Sequence, residues 1–586
     1  MGSKKRITLS CDFETTTDPN DVRVWASCAV NVDTLEVEHL SNSIDAFFDW
    51  LSDKNTVCYF HNLKFDGEFI LAYLLRKGFK QSDTRGDKTF DTLITDTGIF
   101  YSITVIFEKR NKKYKKVLFY DSLKKLPFKV STIAKAFKLK DRKLSIDYDE
   151  YRPVGHELTP EEEEYIVHDC RIVAEALRIQ FGQGLKKMTN ASDALNGFKD
   201  IITREQFDHL FPTFPVELDA DIRRAYRGGW VYLKPEHANR EDLTGCCFDV
   251  NSLYPSVMYD CILPYGYPIY FEGEPNPDDV FNLFIVRLEC AFELKEGHLP
   301  TIQIKNNPAF IATEYLTTSD GDIISLTLTS VDLALFLEHY DVYDLRYVCG
   351  WKFKGKVGIF KEYIEHWSHI KETSKGAIRQ LAKLMLNSLY GKFATNPNGR
   401  KKVPILDTDK VVRYKLDDPD VRDPVYTAMG CFITAYARDK TIRSAQAVYD
   451  RFIYADTDSL KLIGEDTPEN LDVHPTRLGA WKHEGIFTRS KFIRAKTYMM
   501  TTTDTVPASL KAYALLLNDD HVDTVYHDSG TIHFTTITVT CAGMPDNVKK
   551  NVTYENFRSG STFDGKLMPR KFEGGVVLME TTFTIK

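Results

Sequence analysis

The length of the chain is the feature that most restricts its fold. A chain of 586 residues is too long to bury its apolar side chains around one core, so we expect about four domain-sized units. No apolar run approaches the length of a membrane helix, and the start of the chain lacks the apolar stretch of a secretion signal. The eleven cysteines are scattered without a CxxC pair, which favours reduced thiols over a zinc module or a disulfide framework.

The charge of the chain leaves its binding partners open. A formal net charge of −7 does not suit a protein that binds phosphates over its whole surface. Net charge is a sum, however, so clustered acids can conceal a basic channel elsewhere. The positions of the acids are therefore more informative than the total.

Strand and helix patterns divide the chain into segments. Up to about residue 190, short strand patterns alternate with helical ones, as in an α/β domain. The turn-like YRGG near residue 226 and the strand-like WVYL then mark a boundary. Residues from roughly 260 to 358 are rich in strands and turns, and a helix is predicted over about 371–390. KKVPILDTDKVVRYKL is typical of a β-hairpin, and the last 45 residues or so include the β-rich TITVTCAGM and GGVVLMETTFTIK.

Two acids lie in the first strand pattern. In ITLSCDFET the apolar residues alternate from Ile7 to Phe13, so the strand should have one buried face and present Asp12 and Glu14 together from the other. Two carboxylates held side by side repel each other, which costs stability unless a cation lies between them. A solvated strand end is the alternative for this motif by itself.

Two downstream motifs supply further acids. In YFHNLKFDGEF, Asn62 and Asp66 lie among aromatic residues, where a charge without a partner is costly. In HELTPEEEEYIVHDC, Thr159 begins a capping-box pattern, and the following helix carries Tyr165 and Asp169 one turn apart on one face. Four acids with a tyrosine suit a two-metal site for phosphodiester hydrolysis.

A second set of acids occurs later in the chain. FDVNSLYPS places Asp249 at the end of a strand, followed by a helix with Asn251 or Ser252 as its cap. FIYADTDSLKL carries Asp456 and Asp458 between two apolar strand patterns, which predicts a tight hairpin with acids at its tip. Ordinary turn chemistry is the alternative for the second motif taken alone.

The helix between these two motifs indicates the substrate class. On KETSKGAIRQLAKLMLNSLYGK, Arg379, Lys383, Asn387 and Tyr390 fall within an arc of about 80° at 100° per residue. Lysine and arginine would neutralise a triphosphate, and the tyrosine ring would lie against a base. A solvated basic face is the alternative.

At these residues the chain resembles the family B DNA polymerases. DFET, HNLKFDGEF and YIVHDC look like the three exonuclease motifs of that family, and DVNSLYP, KLMLNSLYGK and YADTDS look like its three polymerase motifs. YRGG, DSLKKLPF, PTIQIK, GMPDNVKK and TFTIK also resemble the protein-primed enzymes of the φ29-like Bacillus phage group. The motifs occur in the expected order over nearly the whole chain.

The resemblance implies a multidomain α/β and α+β fold. A ribonuclease H-like exonuclease domain would join a right-hand polymerase of palm, fingers and thumb with two insertions. The implied parts are the exonuclease domain (1–190), the palm (191–260 and 422–541), an insertion that binds a terminal priming protein (261–358), the fingers (359–395), a hairpin insertion for strand displacement and processivity (396–421) and the thumb (542–586).

The resemblance also implies roles for residues of the exonuclease site. Its metal ligands would be Asp12, Glu14, Asp66 and Asp169. Tyr165 and Lys143 would orient the water and the scissile phosphate. The residues that would hold the single-stranded 3′ end are Asn62, Phe65, Ser122 and Leu123.

The polymerase site is implied in the same way. Asp249, Asp458 and the Val250 carbonyl would ligate its metals, with Asp456 as a further catalytic acid close by. The nucleotide-binding residues would be Tyr254, Lys371, Arg379, Lys383, Asn387 and Tyr390. The residues that would contact template or primer are Tyr226, Gly228 and Gly229 of YRGG together with Thr434, Arg438, Lys496 and Tyr498.

The implied function is template-directed, protein-primed DNA synthesis with 3′→5′ proofreading and intrinsic strand displacement. Such an enzyme would replicate a linear phage genome in the cytoplasm of an infected bacterium. Each active site would use two Mg²⁺ ions, with Mn²⁺ as the alternative. The partners would be primer-template DNA, single-stranded DNA, deoxynucleoside triphosphates and a priming protein bound as a heterodimer, with no membrane and otherwise a monomer.

Two departures and two alternatives accompany this interpretation. Arg379 stands where the group typically has lysine, which keeps the charge and alters its geometry, and the stretch from roughly 501 to 537 is longer than usual. One alternative is a family B enzyme that extends only nucleic-acid primers, which the long segment between Tyr254 and Lys371 disfavours. The other is a DNA-binding scaffold without catalysis, which the presence of every metal acid disfavours.

Overall fold

In the computed structural model, an eight-stranded sheet flanked by helices forms the amino-terminal domain. The structure describes residues 6–110, 113–303, 314–509, 522–528 and 530–586. The strands are β1 (Ile7–Thr15), β2 (Val24–Asn31), β3 (Val37–Ser41), β4 (Thr56–Phe60), β5 (Lys80–Gln81), β6 (Thr89–Ile94), β7 (Phe100–Arg110) and β8 (Lys113–Asp121). The helices are α1 (Ile44–Leu51), α2 (Leu63–Arg76), α3 (Val130–Ala136) and α4 (Pro160–Gly182). The sheet order is β3-β2-β1-β4-β8-β7-β6-β5, with β1 parallel to β4 and β4 parallel to β8.

The first strand differs from its prediction in one respect. Leu9, Cys11 and Phe13 are buried as expected, but Ser10 and Glu14 on the other face are buried too. The prediction of a single buried face was wrong because α4 packs across β1 and β2 and covers the second face. The start of α4 follows its predicted pattern, since Thr159 and Glu162 form a complete capping box.

Three helices lead from this domain to a four-stranded antiparallel sheet. They are α5 (Asn190–Ile202), α6 (Arg204–Leu210) and α7 (Val216–Arg223). The next elements are β9 (Val231–Leu233), β10 (Gly245–Val250) and α8 (Leu253–Asp260). The strand-rich segment predicted after residue 260 is confirmed by β11 (Leu263–Glu272), β12 (Leu283–Leu294), β13 (Ile302–Gln303), β14 (Tyr315–Leu316), β15 (Ile324–Thr329), α9 (Ser330–His339) and β16 (Tyr340–Lys356), with the sheet order β11-β16-β12-β15.

The predicted helix over 371–390 is broken into separate helices. They are α10 (Lys361–Thr373), α11 (Gly376–Ser388) and α12 (Tyr390–Phe393). Gly376 has φ +58°, a left-handed backbone that interrupts the helix, so Lys371 lies on a different helix from Arg379. The predicted hairpin is confirmed within β17 (Asn398–Gly399), β18 (Lys402–Leu406), β19 (Val412–Leu416) and β20 (Asp420–Val421), in which β18 pairs with β19. Residues 396–421 are called the ribbon below.

The remaining chain completes a second eight-stranded sheet and ends in a hairpin. The elements are α13 (Thr427–Ala447), β21 (Phe452–Asp456), β22 (Ser459–Ile463), β23 (Trp481–Arg494), β24 (Thr497–Pro507), β25 (Val522–Asp528), β26 (Thr531–Cys541), α14 (Asp546–Lys549), β27 (Thr562–Phe572) and β28 (Gly575–Thr584). The central sheet has the order β25-β26-β24-β23-β10-β22-β21-β9. The pair β27–β28 is called the carboxy-terminal hairpin.

Apolar packing is continuous between the two large sheets. One buried cluster includes Ile166 of α4, Phe198 of α5, Leu381 of α11, Phe248 of β10 and Phe432 of α13. The amino-terminal domain and the central sheet are therefore packed against a shared core rather than joined only by a linker. Within the described part of the chain, no helix combines the length and apolar character that crossing a membrane requires.

Candidate functional site: two clusters of carboxylates

The first cluster forms where three elements of the amino-terminal domain meet. Asp12 and Glu14 come from β1, Asp66 from the first turn of α2, and Asp169 from the middle of α4. The loop from β4 to α2 places Asp66 at the end of β4, the strand beside β1, and α4 packs across β1 and β2. Glu14, Asp66 and Asp169 are only 7%, 3% and 5% exposed.

Burial and mutual repulsion dominate the electrostatics of these acids. Burial raises the pKa of Asp12 to about 7, and the charge of Asp169 adds to the shift. Burial raises the pKa of Glu14 and of Asp66 well above their usual range, and the charge of Asp12 adds to both. The ionised cluster therefore favours the binding of a compensating cation.

Lys143 supplies one such compensating charge. It lies in the loop before α4, forms an ion pair with Asp169 and donates a hydrogen bond of 3.1 Å to the Tyr165 hydroxyl. The structure thus brings together Lys143, Tyr165 and Asp169, which are separated by up to 26 positions in the sequence. The Tyr148 hydroxyl also contacts that of Tyr165. Sequence reasoning missed Tyr148, which no motif marks.

The carboxylates suit a hard divalent cation. The Oδ1 atoms of Asp66 and Asp169 are buried and have no hydrogen-bond partner among the described residues. Carboxylate oxygens are the ligands that Mg²⁺ prefers. In the part of the chain that the structure describes, no three His, Cys, Asp or Glu side chains converge closely enough to enclose one ion.

The residues predicted to hold a single strand lie in two neighbouring segments, the β4–α2 loop with the first turn of α2 and the loop after β8. Asn62 is exposed with a left-handed backbone, while Phe65 and Leu123 are half-buried. Asp121, which sequence reasoning missed, joins these loops because its Oδ1 accepts from the Asn62 N–H at 3.2 Å and from the Leu123 N–H at 3.0 Å. Asp121 is the first residue of the DSLKKLPF motif, so that motif was the available signal.

Ser122 is the least accessible of these residues. Its side chain is buried, and its hydroxyl donates to the Phe60 carbonyl at 3.1 Å. The same hydroxyl lies 2.8 Å from Nδ1 of His61, a residue that sequence reasoning did not assign. Ser122 therefore fixes the loop in this structure.

The second cluster lies on adjacent strands of the central sheet. Asp249 is the penultimate residue of β10 and lies beside Ser459 of β22, and Asp456 and Asp458 occupy the tight β21–β22 turn as predicted. The Val250 N–H donates to the Asp458 carbonyl at 2.7 Å, and Thr457 adopts φ +58°. Backbone hydrogen bonds therefore bring Asp249 and Asp458 together.

The acids of this cluster are half-buried. Burial raises the pKa of Asp249 to about 6, and the charge of Asp458 adds to the shift. Burial also raises the pKa of Asp458. Lys461 is buried on the face of β22 that Ser459 shares, and its charge opposes the shift at Asp249. Sequence reasoning missed Lys461, although its spacing from Ser459 in SLKL was a signal.

The predicted nucleotide-binding residues surround this cluster. The rings of Tyr254 and Tyr390 stack with centroids 4.0 Å apart. Ser252 occupies the predicted N-cap position of α8, but its side chain makes no capping hydrogen bond to the helix. Its hydroxyl instead accepts a hydrogen bond of 3.2 Å from the Lys371 ammonium. Arg379 donates to the Lys371 carbonyl at 2.6 Å and so joins α10 to α11.

Along α11 the polar and apolar faces separate as predicted. Arg379, Lys383 and Asn387 are exposed, whereas Leu381 and Met385 are buried. The predicted exposed face is therefore confirmed for Arg379, Lys383 and Asn387, whereas Tyr390, predicted to end the same face, is half-buried at the start of α12. The exposed side of α11 carries the positive charges of Arg379 and Lys383. The sequence from Arg379 to Tyr390 contains no Asp or Glu that could neutralise them.

The YRGG turn lies against the β21–β22 turn. A Cβ atom at Gly229 would collide with the Thr457 side chain, so this position requires glycine. Gly228 is exposed. Tyr226 is half-buried, and burial and the nearby Tyr390 raise its pKa. The predicted YRGG residues therefore lie between the acids and the stacked tyrosines.

Two of the predicted DNA-binding residues are buried. The Arg438 guanidinium forms an ion pair with both carboxylate oxygens of Asp332 of α9, and it donates a hydrogen bond of 2.8 Å to the Gly228 carbonyl. Thr434 donates to the Gly430 carbonyl within α13 at 3.0 Å. In this structure both side chains are bonded to protein, and α9 packs against α13.

Lys496 and Tyr498, the remaining predicted template or primer contacts outside YRGG, are more accessible. Lys496 is exposed, and its Nζ lies 3.7 Å from a carboxylate oxygen of Asp456. Tyr498 is half-buried, with its ring centroid 5.3 Å from that of Tyr454. Only Lys496 is placed directly beside an acid of the second cluster.

Comparison with known proteins identifies the family. Residues 50–154 and 143–474 match the family described as DNA polymerase type B, organellar and viral. The chain belongs to this family. Among curated type B relatives, the DNA polymerase of Bacillus phage phi29 is 48% identical over all of both chains, and that of Bacillus phage B103 is 47% identical over 99% of this chain and 100% of its own. The DNA polymerase of Streptococcus phage Cp-1 is 33% identical over 98% of each chain.

Solved structures show the same type B architecture. A phi29 DNA polymerase complex with primer-template DNA and incoming nucleotides has a TM-score of 0.91 and 47% identity, and covers 99% of this chain and 100% of its own. A complex of the same enzyme with single-stranded DNA also has a TM-score of 0.91. The predicted multidomain fold, with an exonuclease-type domain beside a right-hand polymerase, is therefore confirmed.

Proposed function

We propose that the protein is a template-directed DNA polymerase that extends primer-template DNA with deoxynucleoside triphosphates at the second cluster. The observation that carries this proposal is the meeting of Asp249 and Asp458 on adjacent strands beside the stacked Tyr254 and Tyr390. The phi29 DNA polymerase structure with primer-template DNA and incoming nucleotides supports the substrate class.

Each part of this site has a proposed task. Asp249, Asp458 and the Val250 carbonyl would hold Mg²⁺, or alternatively Mn²⁺, at two positions, with Asp456 beside them. Such ions lower the pKa of the attacking hydroxyl and stabilise the departing pyrophosphate. The positively charged side chains neutralise the triphosphate: Lys371, Arg379 and Lys383.

The remaining polymerase residues position the substrates. Tyr254 lies against the sugar and Tyr390 against the base, while Asn387 extends the exposed face that meets the nucleotide. Tyr226, Gly228, Gly229, Lys496 and Tyr498 hold the primer and template. Because Arg438 is buried and bound to Gly228, we propose that Arg438 positions the YRGG turn rather than contacting DNA. Thr434, whose hydroxyl bonds within α13, is proposed to act through that helix.

The first cluster is proposed to be a 3′→5′ proofreading exonuclease. Asp12, Glu14, Asp66 and Asp169 would hold two Mg²⁺ ions, which would activate water and stabilise the leaving 3′-oxygen. Lys143 and Tyr165 orient the water and the scissile phosphate, supported by their contact at 3.1 Å. The single-stranded end is held by Asn62, Phe65 and Leu123, with Ser122 shaping the loop. The phi29 complex with single-stranded DNA supports this substrate.

Initiation on a priming protein is proposed for the segment 261–358. Its surface carries exposed apolar side chains such as Tyr267 (54%), Tyr270 (48%) and Tyr343 (53%), which fit a protein partner. That partner would form a heterodimer with this otherwise monomeric chain and offer a side-chain hydroxyl in place of a primer 3′-OH. Incubation with labelled dATP and a candidate priming protein should give a covalent protein–dAMP adduct.

Strand displacement is proposed for the ribbon. It interrupts the route from α12 to α13, and Arg400, Lys401, Lys402, Lys410, Arg413 and Lys415 lie along it. Together with the carboxy-terminal hairpin it would enclose the product duplex, so that the template enters alone. We also propose the domain boundaries that the resemblance implies. Because the phage relatives infect bacteria, we propose that the protein replicates a linear genome in the cytoplasm of a phage-infected bacterium.

A filling-in assay tests the central proposal. A primed oligonucleotide with a long 5′ overhang is incubated with the protein, Mg²⁺ and all four deoxynucleoside triphosphates. We expect extension to the end of the template, and loss of extension when the divalent ion is chelated. Absence of extension with both Mg²⁺ and Mn²⁺ would contradict the assignment of a polymerase.

A further inference from the structure

One lysine joins three parts of the molecule that are distant in sequence. Lys571 of the carboxy-terminal hairpin forms an ion pair with Glu68 of α2, with 2.8 Å between Nζ and Oε1. Its ammonium also donates to the Val412 carbonyl of the ribbon at 3.3 Å and lies 3.9 Å from the centroid of the Tyr414 ring. A single side chain therefore connects the amino-terminal domain, the ribbon and the carboxy-terminal hairpin.

The surfaces around this lysine are in close contact. Val412 of the ribbon and Val576 of β28 belong to the same buried cluster as Phe69 of α2. A Cβ atom at Gly575 would collide with the Phe69 ring, so the tip of the hairpin is packed directly on α2. At the exposed edge of the junction, Nζ of Lys410 lies 3.4 Å from a carboxylate oxygen of Glu573.

The same hairpin is anchored at its other end on the central sheet. Phe563 of β27 and Phe583 of β28 share a buried cluster with Ile493 of β23 and Met499 of β24. The central sheet shares its core with the amino-terminal domain. Contacts thus run from the amino-terminal domain through the central sheet and the hairpin and back to α2, and the Lys571 junction closes this circuit.

The chemistry of the junction makes Lys571 the residue on which closure depends. Glu68 is only 6% exposed, and an ionised carboxylate at that depth is costly without a cation. The side chain of Lys571 is about one-third exposed, so it can be replaced without creating a cavity in a core. Loss of Lys571 would leave the Glu68 carboxylate buried without its cation. Separation of the hairpin tip from α2 would then be favoured, because it would let water solvate that carboxylate.

We propose that Lys571 is a positioning residue that latches the carboxy-terminal hairpin and the ribbon onto α2, and that DNA without a free end enters when this junction opens. This inference rests on one part of the proposed function, namely that the carboxy-terminal hairpin and the ribbon flank the product duplex. It assigns to Lys571 the retention of DNA and no part in nucleotide addition.

The test measures how long the protein stays on a primed single-stranded circle. The parental chain and Lys571→Gln are bound to the circle without nucleotides, and release is followed after excess competitor DNA is added. We expect Lys571→Gln to leave about tenfold faster, which corresponds to about 1.4 kcal/mol. Lys571→Arg, which keeps the cation, should remain within about twofold of the parental chain.

Two further variants separate a latch from a simple phosphate contact. Glu68→Gln removes the partner of Lys571, so a latch predicts faster release, whereas a phosphate-binding lysine freed from its carboxylate would release DNA more slowly. Arg570→Gln removes the neighbouring exposed charge on the same strand and should leave the release rate unchanged. Equal losses for Arg570→Gln and Lys571→Gln, or slower release for Glu68→Gln, would overturn the proposal.

Covalent closure gives an independent check. In Lys410→Cys with Glu573→Cys, a reducible bifunctional thiol-reactive linker applied before DNA is added should block binding to the circle while binding to linear primer-template persists, and a reducing agent should restore loading. Loading of the cross-linked protein onto the circle would contradict the proposed entry route. Extension of a linear primer by a few nucleotides is measured in parallel. Loss of that extension in the parental chain would refute the proposed polymerase, whereas the release rates test the latch alone.

Discussion

The two carboxylate clusters are built in different ways. In the first, Asp12, Asp66 and Asp169 come from a strand and two helices, and Lys143 of a loop pairs with Asp169. In the second, Asp249 and Asp458 are placed by neighbouring strands and by the hydrogen bond from the Val250 N–H to the Asp458 carbonyl.

The difference has consequences for how each site responds to change. The geometry of the first cluster depends on side-chain charges that are deeply buried, so it should be sensitive to pH and to the loss of one partner. The geometry of the second depends on the backbone of a sheet, so a side chain can be removed there without moving the others. The predictions below use this contrast, from the largest expected effect to the smallest.

Removal of one acid from the second cluster should have the largest effect. Asp249→Ala loses a proposed metal ligand, and we expect nucleotide addition to fall by about 10³-fold or more, equivalent to about 4 kcal/mol in the barrier. Because β10 remains paired with β22, the unfolding temperature should stay close to that of the parental chain. Single-turnover extension and a thermal scan measure the two quantities, and a large loss of stability would contradict backbone control of this site.

Loss of Lys143 should affect only the first cluster. Lys143→Met removes the cation beside Asp169 and the donor to Tyr165, so we expect degradation of single strands to fall by about 10²-fold. Nucleotide addition should be unchanged, and Lys143→Arg should recover part of the degradation. Degradation at the parental rate in Lys143→Met would show that the cation does not organise this site.

Truncation of one stacked tyrosine should alter selectivity rather than rate. Tyr254→Val opens space beside the sugar of a nucleotide bound at Asp249, so we expect discrimination between dGTP and GTP to weaken by about tenfold, or about 1.4 kcal/mol. Degradation of single strands should not change. Unaltered discrimination in steady-state competition would remove Tyr254 from this role.

The pH dependence of stability without divalent ions should differ between the clusters. The folded-state pKa of Asp12 is about 7, above its ordinary value of 3.8, so the folded protein binds more protons than the unfolded chain in this interval. The contribution of Asp12 to the unfolding free energy should therefore be fully present below about pH 4 and be lost as the pH rises through about 7. The contribution of Asp249 to the unfolding free energy should be lost as the pH rises through about 6, because the folded-state pKa of Asp249 is about 6.

Thermal scans in chelator from pH 5 to pH 8 check this expectation. Asp12→Asn with Asp66→Asn should flatten the profile by more degrees than Asp249→Asn with Asp458→Asn. Added Mg²⁺ should stabilise the parental chain most at the alkaline end. Equal flattening by the two pairs of substitutions would remove the electrostatic contrast between the clusters.

Local sequence signals were enough to predict much of each site. The capping box at Thr159, the acid-tipped turn at Asp456 and Asp458 and the exposed face of α11 all depend on residues within a few positions of each other. Their energetics are therefore visible in short segments of sequence.

The features that the sequence did not predict depend on long-range contacts. The second face of β1 is buried by α4, which lies about 150 residues further along the chain. Arg438 can be buried because it pairs with Asp332 of the insertion. The break before Gly376 reflects a local backbone angle that a helical pattern of side chains does not reveal. Asp121 and Lys461 gain their importance only when two segments are brought together.

The central claim is that two separate carboxylate clusters perform two reactions in one chain. It is tested most directly by measuring extension of a primed oligonucleotide and degradation of a labelled single strand on the same preparations of the parental chain, Asp458→Ala, and Asp12→Ala with Asp66→Ala. We predict that Asp458→Ala loses extension and retains degradation, and that the double variant does the reverse. Loss of both activities in either variant, or parental extension by Asp458→Ala, would contradict the account.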